Sequence, residues 1–254
     1  MPARRPRTLA FGTWLAARGV LGAMGIALAI LGALGSVVFA VAMSGSAAEA
    51  QVPTLASSAL AWGAGVTLAF GASLRAIRRD HDDGVVALVR ARGASVAGYV
   101  RGRVGGLVLV LATAIGGATL VASLAAISLA HPALPVLRSS AAALVYALVF
   151  AVTMGPLAMA ALGARTRAGG YFTLVAVLVL PELLSPWTAA LLPRGWHELT
   201  SVPAALAAVR SGVASPVAMG ASMARALAGL AALVALSLLA VGARVRATSA
   251  GPPP

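Results

Sequence analysis

The sequence predicts an all-α integral membrane protein with six transmembrane helices. Hydrophobic residues make up 60% of the 254 residues and charged residues 10%, and the mean hydropathy is +0.96. This composition leaves too little polar surface to cover a soluble globule. A helix that crosses the bilayer needs about 20 mostly apolar residues, and six such segments take up most of the chain. We therefore expect one membrane domain over residues 1–254.

The charge pattern narrows the classes of function. The net charge of +13 comes from Arg alone, because the chain has no Lys, and the Arg residues lie in short loops between apolar segments. That arrangement serves orientation in a lipid bilayer rather than nucleic-acid binding. No Cys is present, and His81, His131 and His197 are scattered. We expect no catalytic, metal or cofactor-binding residues in this chain. The composition, rich in Ala, Gly and Arg, is typical of a GC-rich bacterial source.

Residues 1–19 are basic and then amphipathic, which predicts a short helix along the membrane interface. Phe11, Trp14 and Leu15 fall at helical spacing, with Arg7 and Arg18 at the two ends. The alternative is a signal peptide cleaved after residues 40–42. Its apolar stretch, Val20–Met43, is longer than the roughly 7 to 15 residues that such peptides use.

The spans and their connections follow in order. Val20–Met43 is the first span, and its glycines at positions 22, 25, 32 and 35 favour close helix packing. The later spans are predicted at 55–74, 104–130, 139–162 (with Pro156 inside), from about 171 to Pro181, and 221–241. Residues 181–216 carry several Pro and Trp residues, which indicates broken, interfacial or re-entrant helices at the outer surface. A basic tail, 242–254, ends the chain.

The distribution of Arg predicts the orientation of the bundle. Fifteen of the nineteen Arg residues lie before the first span, after the second, after the fourth or after the last. Positive residues are enriched in cytoplasmic loops. Both termini and the large loop at 75–103 are therefore expected in the cytoplasm, in a multi-pass protein of a bacterial inner membrane.

The loop at 75–103 is the one long stretch that is not built for lipid. Asp80, Asp82 and Asp83 precede Gly84, and the apolar residues after Gly84 predict a short helix. Val85, Leu88 and Val89 share one face of that helix, and Arg90 and Arg92 lie near its end, where the helix dipole favours cations. Gly93 then breaks the helix, and Ser95 is placed to cap the next one.

On these features the chain resembles the ABC type 2 exporter permeases, whose members have six spans, a cytoplasmic coupling helix after the second span and a re-entrant outer region. The residues that carry the resemblance are Asp80, Asp82, Asp83, Gly84, Leu88, Gly93, Ser95, Tyr99, Gly102 and Arg103. Val85, Gly93 and Arg103 stand where the family usually has Thr, Pro and Lys. Residues 197–212, in which a Pro precedes a short helix ending in Arg, resemble the family's stretch before the last span.

The resemblance implies a permease subunit that is moved by a separate ATPase. The chain has no glycine-rich phosphate loop ending in Gly-Lys-Ser or Gly-Lys-Thr, so ATP and Mg²⁺ would be bound by an ATP-binding cassette partner. A second copy or a homologous permease would complete the pathway. The implied ATPase-coupling residues are Asp82, Asp83, Gly84, Val85, Leu88, Val89 and Arg92, and Pro181 and Glu182 are candidates for the exit path.

Other interpretations remain open for the same residues. The acidic cluster is also compatible with a solvated loop that balances nearby Arg, and Leu88 and Val89 with packing on the bundle itself. Glu182 is compatible with a turn at the water interface. The competing functions are an ATP-independent secondary carrier, a scaffold and a membrane-embedded enzyme, although the spans show neither inverted repeats nor midplane charges.

Overall fold

A computed structural model of the chain describes residues 8–46, 48–91, 93, 95–130, 133–163, 167–191 and 196–249. Every regular element in these ranges is helical. The α-helices are α1 (Thr8–Ala17), α2 (Val20–Met43), α3 (Val52–Leu60), α4 (Val66–Ser73), α5 (Ala76–Asp82), α6 (Val85–Ala91), α7 (Val96–Leu111), α8 (Gly117–Leu129), α9 (Ala133–Leu162), α10 (Arg167–Leu178), α11 (Leu180–Leu191), α12 (Trp196–Thr200), α13 (Val202–Ala214) and α14 (Pro216–Ser249).

Six helical segments in the described ranges are long and apolar enough to cross a membrane, which confirms the predicted class. They are Val20–Met43, Glu49–Asp82, Ala97–Leu129, Ala133–Leu162, Gly169–Trp187 and Pro216–Arg246. The first matches the prediction at both ends, and the second to fourth and the last are longer than predicted. The fifth continues through Pro181, because the helix resumes after one turn residue, where the amide of Leu183 donates to the carbonyl of Val179. The protein is a multi-pass membrane protein.

The fourth span, α9, is the central helix of the bundle. The share of buried residues is 72% in this span and 17–44% in the other five. Two short π-helical segments, Ala61–Gly65 between α3 and α4 and Ala112–Gly116 between α7 and α8, contact each other and α9. Such wide turns inside helices frequently occur at functional sites. The large buried side chains Phe150 and Met154 of α9 belong to the same core cluster as Ala61 and Ala64 of the first segment and Ile115 of the second.

The first span packs through small residues, as its sequence predicts. A Cβ on Gly25 would lie 2.7 Å from the Cβ of Leu68, and one on Gly32 would lie 2.6 Å from Cδ2 of Leu60. Gly35 has no atom within 4 Å of such a position, so it does not contribute to the packing. The buried face holds only small residues: Gly22, Gly25, Ala29, Ala33, Ser36 and Ala40. The larger apolar side chains of α2 face outward, where lipid would solvate them.

The bundle has two distinct ends. The end that carries α1, α5, α6, the start of α7 and the C-terminal end of α9 is called the hairpin end here, after the α5–α6 hairpin. The other end, with α12, α13 and the starts of α3, α9 and α14, is called the opposite end. At the opposite end α13 packs against α14 and α9 and, with 13 residues, is too short to span a bilayer.

The predicted N-terminal helix forms, and its position along the membrane interface stays a prediction. Residues 1–7 lie outside the described ranges, and α1 packs along α7. Leu15 is buried there, whereas Phe11 and Trp14 stack on each other at 5.9 Å on the exposed side. Of the three residues on the predicted apolar face of this helix, Leu15 therefore packs in the bundle, and Phe11 and Trp14 are exposed. At the other terminus, α14 continues helically through Ser249, so the predicted tail at 242–254 begins as helix.

Candidate functional site

The α5–α6 hairpin is shaped by three residues in the left-handed backbone region. Arg75 has φ 57° before α5, Gly84 has φ 69° between the two helices, and Gly93 has φ 77° after α6. Glycine adopts this region without steric cost, whereas Arg75 does so at a cost that its surroundings must offset. Ser95 accepts a hydrogen bond from the amide of Gly98 at 3.1 Å, which confirms the predicted N-cap of α7.

The backbone of the hairpin is bonded to the central helix. The amide of Arg75 donates to the carbonyl of Leu162 at 3.0 Å, and the amides of Ile77 and Arg78 donate to the carbonyl of Gly163 at 3.0 and 3.3 Å. The first amides and the last carbonyls of a helix have no partner within their own helix. Here the start of α5 and the end of α9 satisfy each other. No local pattern in the sequence could have predicted these contacts, because the partners are 85 to 87 residues apart.

A buried polar cluster connects the hairpin to α7. The hydroxyl of Tyr99 donates to Oδ2 of Asp80 at 2.6 Å, and Nε of Arg103 lies 3.0 Å from the same oxygen as an ion pair. Asp80 is 1% exposed and Arg103 6% exposed. Neither Nε nor Nη1 of Arg103 has a hydrogen-bond partner among the described residues. The cluster therefore depends on its charge contact and on the bond from Tyr99 to offset desolvation.

The three acids of the hairpin lie close together in the sequence, which suggests one acidic surface. In the structure they do not form one. Asp80 points into the bundle, whereas Asp82 and Asp83 are exposed. The interpretation of the whole acidic group as an external contact or a solvated loop is wrong for Asp80. Helical spacing gave a signal, because Asp80 follows the buried Ala76 and Ile77 by four and three residues. Asp82 lies 3.8 Å from Nε of Arg78, and both side chains are mostly exposed, so this pair adds little stability.

The predicted coupling residues occupy different positions on the hairpin. Asp82, Asp83 and Gly84 form its exposed tip, Leu88 is 52% exposed, and Val85 and Val89 are half-buried. Arg92 lies outside the described residues. Among the side chains of α6 that the structure describes, the buried one is Val86, at 7% exposure. The sequence does not predict this burial, because Val86 does not lie on the predicted face of Val85, Leu88 and Val89. Leu88 is therefore an apolar side chain on the outer side of α6, next to the acidic tip.

The cavity nearest to this cluster is too small for a metabolite. It has a volume of about 20 Å³ and lies between α1, α6 and α7, where Phe11, Leu15, Val89, Tyr99 and Arg103 are among its lining residues. A cavity of that size holds about one water molecule. This cavity therefore has no room for a small-molecule ligand. Among the described residues, no three His, Asp or Glu side chains are grouped to hold a metal ion.

At the opposite end, Glu182 connects three helices. It lies in the first turn of α11, directly after Pro181, and accepts a hydrogen bond from the hydroxyl of Ser201. The same Ser201 oxygen caps α13 by accepting from the amide of Ala204 at 3.1 Å. Nε2 of His197, in α12, lies 3.5 Å from the Glu182 carboxylate. Glu182 is half-exposed in this arrangement, and a role for Pro181 and Glu182 in an exit path stays a prediction.

Comparisons with known proteins do not assign the chain to a family. No protein-family model, no curated protein and no solved structure matches it. A functional assignment therefore depends on the chemistry and geometry of the residues described above.

Proposed function

We propose that the chain is the membrane-spanning permease subunit of an ATP-driven exporter. A separate ATP-binding cassette ATPase would bind ATP and Mg²⁺ and push on the α5–α6 hairpin, and a second permease copy or a homologous permease would complete the pathway. The observation that carries the proposal is an exposed hairpin tip whose base is fixed to two transmembrane helices. The bundle would lie in a bacterial inner membrane with its hairpin end and both termini in the cytoplasm.

The hairpin has the mechanical connections that coupling requires. Its start is hydrogen-bonded to the end of α9 through Leu162 and Gly163, and its Asp80 is paired with Arg103 of α7. Packed protein interiors transmit displacement rather than absorb it. A force on the exposed tip would therefore reach the central helix and the third span together. Differential affinity of the ATPase for one arrangement of these helices would drive the transport cycle.

Two further observations support the proposal. Asp80, Tyr99 and Arg103 belong to the residues on which the resemblance to ABC type 2 permeases rests, and they form one buried cluster. Of the fifteen Arg residues that predict the orientation of the bundle, the ten that the structure describes all lie in segments of the hairpin end, as expected for a cytoplasmic side.

A secondary carrier is the less favoured alternative. Such carriers place charged or polar binding groups near the middle of the membrane. Asp80 and Arg103 are buried, but Asp80 is two residues from the end of its span, Glu49–Asp82, and therefore lies at the hairpin end. Co-purification with an ATP-binding cassette protein encoded beside this chain would favour the exporter. Substrate movement that persists without ATP and collapses with the proton gradient would favour the carrier.

The variant Leu88→Asp is expected to uncouple the ATPase without unfolding the bundle. Leu88 is exposed, so the folded chain loses little, whereas the apolar contact with a partner would be lost. Burial of such a side chain contributes about 1.5–3 kcal/mol, and about 1.4 kcal/mol corresponds to tenfold in affinity. We expect substrate-stimulated ATP hydrolysis of the co-purified complex to fall at least about tenfold. Leu88→Ala is the control that removes the contact without adding charge, and unchanged hydrolysis in both variants would argue against the coupling role.

Cysteine labelling tests the orientation, because the chain contains no native Cys. Ser46→Cys, in the loop at the opposite end, is expected to react with a membrane-impermeant thiol reagent in intact cells, and Ala87→Cys on α6 only after permeabilisation. Both positions are exposed. The reverse labelling pattern would overturn the orientation.

A further inference from the structure

Arg210 of α13 is held at the opposite end of the bundle by neutral groups. Its Nη1 donates to the hydroxyl of Ser58 at 2.6 Å and to the carbonyl of Thr54 at 3.2 Å, both on α3. Its Cζ lies 5.3 Å from the ring centre of Tyr146 on α9, at cation–π distance. These contacts fix a guanidinium between three helices, although the sequence places Arg210 more than 60 residues from Tyr146 and more than 150 from Ser58.

The aromatic support under Arg210 is itself rigid. Tyr146 is 3% exposed, and its oxygen accepts a hydrogen bond from Nε1 of Trp62 at 2.9 Å. Trp62 belongs to the π-helical segment Ala61–Gly65 and packs edge-on against Phe150, with ring centres 5.7 Å apart. The π-helical segment thus supplies Trp62, the residue that holds the Tyr146 ring under Arg210. A side chain fixed in advance loses less conformational entropy when it binds a ligand.

The charge of Arg210 is not balanced by a carboxylate in the described part of the chain. Arg225, the matching arginine of α14, contacts Glu198 through Nε at 3.1 Å and Nη2 at 3.0 Å. Glu182 is bound by Ser201 and His197, and Glu49 accepts from the amide of Gly45 at 3.0 Å. None of these carboxylates lies within ion-pair distance of Arg210.

The free side of Arg210 suits an anionic group. The guanidinium has five N–H donors in a planar fork, and among the described residues only Nη1 donates to the protein. Arg210 is half-buried, and its Nε and Nη2 are not among the buried atoms that have no partner, so these remaining donors reach accessible space. Such a fork binds phosphate or carboxylate in a bidentate manner. Leu55, which adjoins Thr54 on α3, is 52% exposed, so α3 also presents an apolar side chain at this end of the bundle.

We propose that Arg210, on its support of Tyr146 and Ser58, binds the phosphate or carboxylate headgroup of an anionic amphiphile at the opposite end of the bundle. The apolar tail lies against the exposed surface of α3 and in the lipid beside it. This binding does not require the ATPase, so it stands or fails separately from the proposed exporter. If the chain is an exporter, the site indicates that a molecule leaving at this end carries a phosphate or carboxylate headgroup.

A fluorescence titration tests the proposal on the full-length protein. Three of the four Trp residues (Trp14, Trp187 and Trp196) are replaced by Phe, so that Trp62 beneath Tyr146 is the reporter. The protein is placed in nanodiscs of zwitterionic phosphatidylcholine and titrated with dodecyl phosphate, dodecyl phosphocholine or inorganic phosphate. We expect a saturable change in Trp62 emission with dodecyl phosphate and none with the other two probes at the same concentrations.

The variants assign the response to Arg210. Arg210→Gln is expected to weaken dodecyl phosphate binding at least about tenfold, because a hydrogen-bonded charge contact contributes about 1.5–3 kcal/mol. Arg210→Lys keeps the charge but loses the planar fork, and we expect a smaller loss. Arg225→Gln is the matched control, since its charge is already paired with Glu198, and it should bind like the parent. The Lys variant decides the test if the Gln variant does not fold.

Three outcomes would overturn the proposal. The first is a titration with dodecyl phosphate that does not saturate. The second is equal binding by the Arg210→Lys and Arg225→Gln variants. The third is saturation by inorganic phosphate at the same concentrations, which would identify a site for a free anion instead of an amphiphile. Substrate-stimulated ATP hydrolysis is measured separately, so a failure of this site leaves the exporter proposal untouched.

Discussion

Replacing Asp80 with alanine is expected to destabilise the hairpin end by about 3–5 kcal/mol, the range measured when one partner of a buried ion pair is removed. Arg103 is 6% exposed and has no acidic contact other than Asp80 among the described residues. Without Asp80 its charge stays buried and unpaired, and the hydroxyl of Tyr99 loses its acceptor. The hairpin should then separate from α7, although its backbone bonds to α9 remain.

Thermal unfolding of the purified protein and limited trypsin digestion measure this effect. Trypsin cleaves after Arg, and Arg78 and Arg79 lie on the exposed side of α5. We expect a lower melting temperature and faster cleavage within the hairpin for Asp80→Ala. The control is Asp82→Ala, an exposed acid two residues away, which should change stability by no more than about 0.5 kcal/mol.

A double variant separates the lost charge pair from lost packing. Asp80→Leu combined with Arg103→Met replaces the ion pair with apolar groups, a change that is often neutral or stabilising at buried sites. It should be more stable than Asp80→Ala alone. Equal stability of Asp80→Ala and Asp82→Ala would contradict the structural role of the cluster.

The features that the sequence predicted are those set by local physical constraints. The number of spans follows from the thickness of the hydrocarbon core, which requires about 20 apolar residues for each crossing. The cap at Ser95 and the breaks at Gly84 and Gly93 follow from backbone chemistry within a few residues. The small-residue face of α2 follows from helical periodicity. Each of these depends on neighbours in the chain and can be read without a tertiary structure.

The features that were missed depend on contacts between distant residues. Helical spacing indicates that Asp80 lies on the buried face of α5, but not that Tyr99 and Arg103 are its partners there. The bonds from the start of α5 to Leu162 involve backbone groups, which leave no trace in residue type. The sequence indicates only that Arg210 belongs to a short helix before the last span, whereas its support on Ser58 and Tyr146 comes from two different spans. The contact partners at these sites are distant in the chain, and the sequence therefore did not predict them.

The close contact between α1 and α7 predicts a large loss of stability when a glycine in it is replaced. A Cβ on Gly12 would lie 1.9 Å from the carbonyl oxygen of Gly102, and a Cβ on Gly106 would lie 2.3 Å from the carbonyl carbon of Gly12. The obstructing atoms belong to the backbone and cannot rotate away. Glycines four residues apart, such as Gly102 and Gly106, allow two helix backbones to approach this closely. Gly12→Ala must therefore push α1 away from α7.

We expect Gly12→Ala to destabilise the protein by about 1–3 kcal/mol, as overpacking typically does, although alanine favours a helix by up to about 1 kcal/mol over glycine. Gly117→Ala in α8 is the matched control, because no atom lies within 4 Å of its Cβ position; it should be neutral or stabilising. The reporter is Leu15→Cys, whose side chain position is 6% exposed beside α7. Its reaction with a maleimide should be slow in the Gly117→Ala background and fast in the Gly12→Ala background. Slow reaction of this cysteine in both backgrounds would mean that α1 remains on α7 in the Gly12→Ala variant. The close contact at Gly12 would then not be required to hold the N-terminal helix against the base of the hairpin.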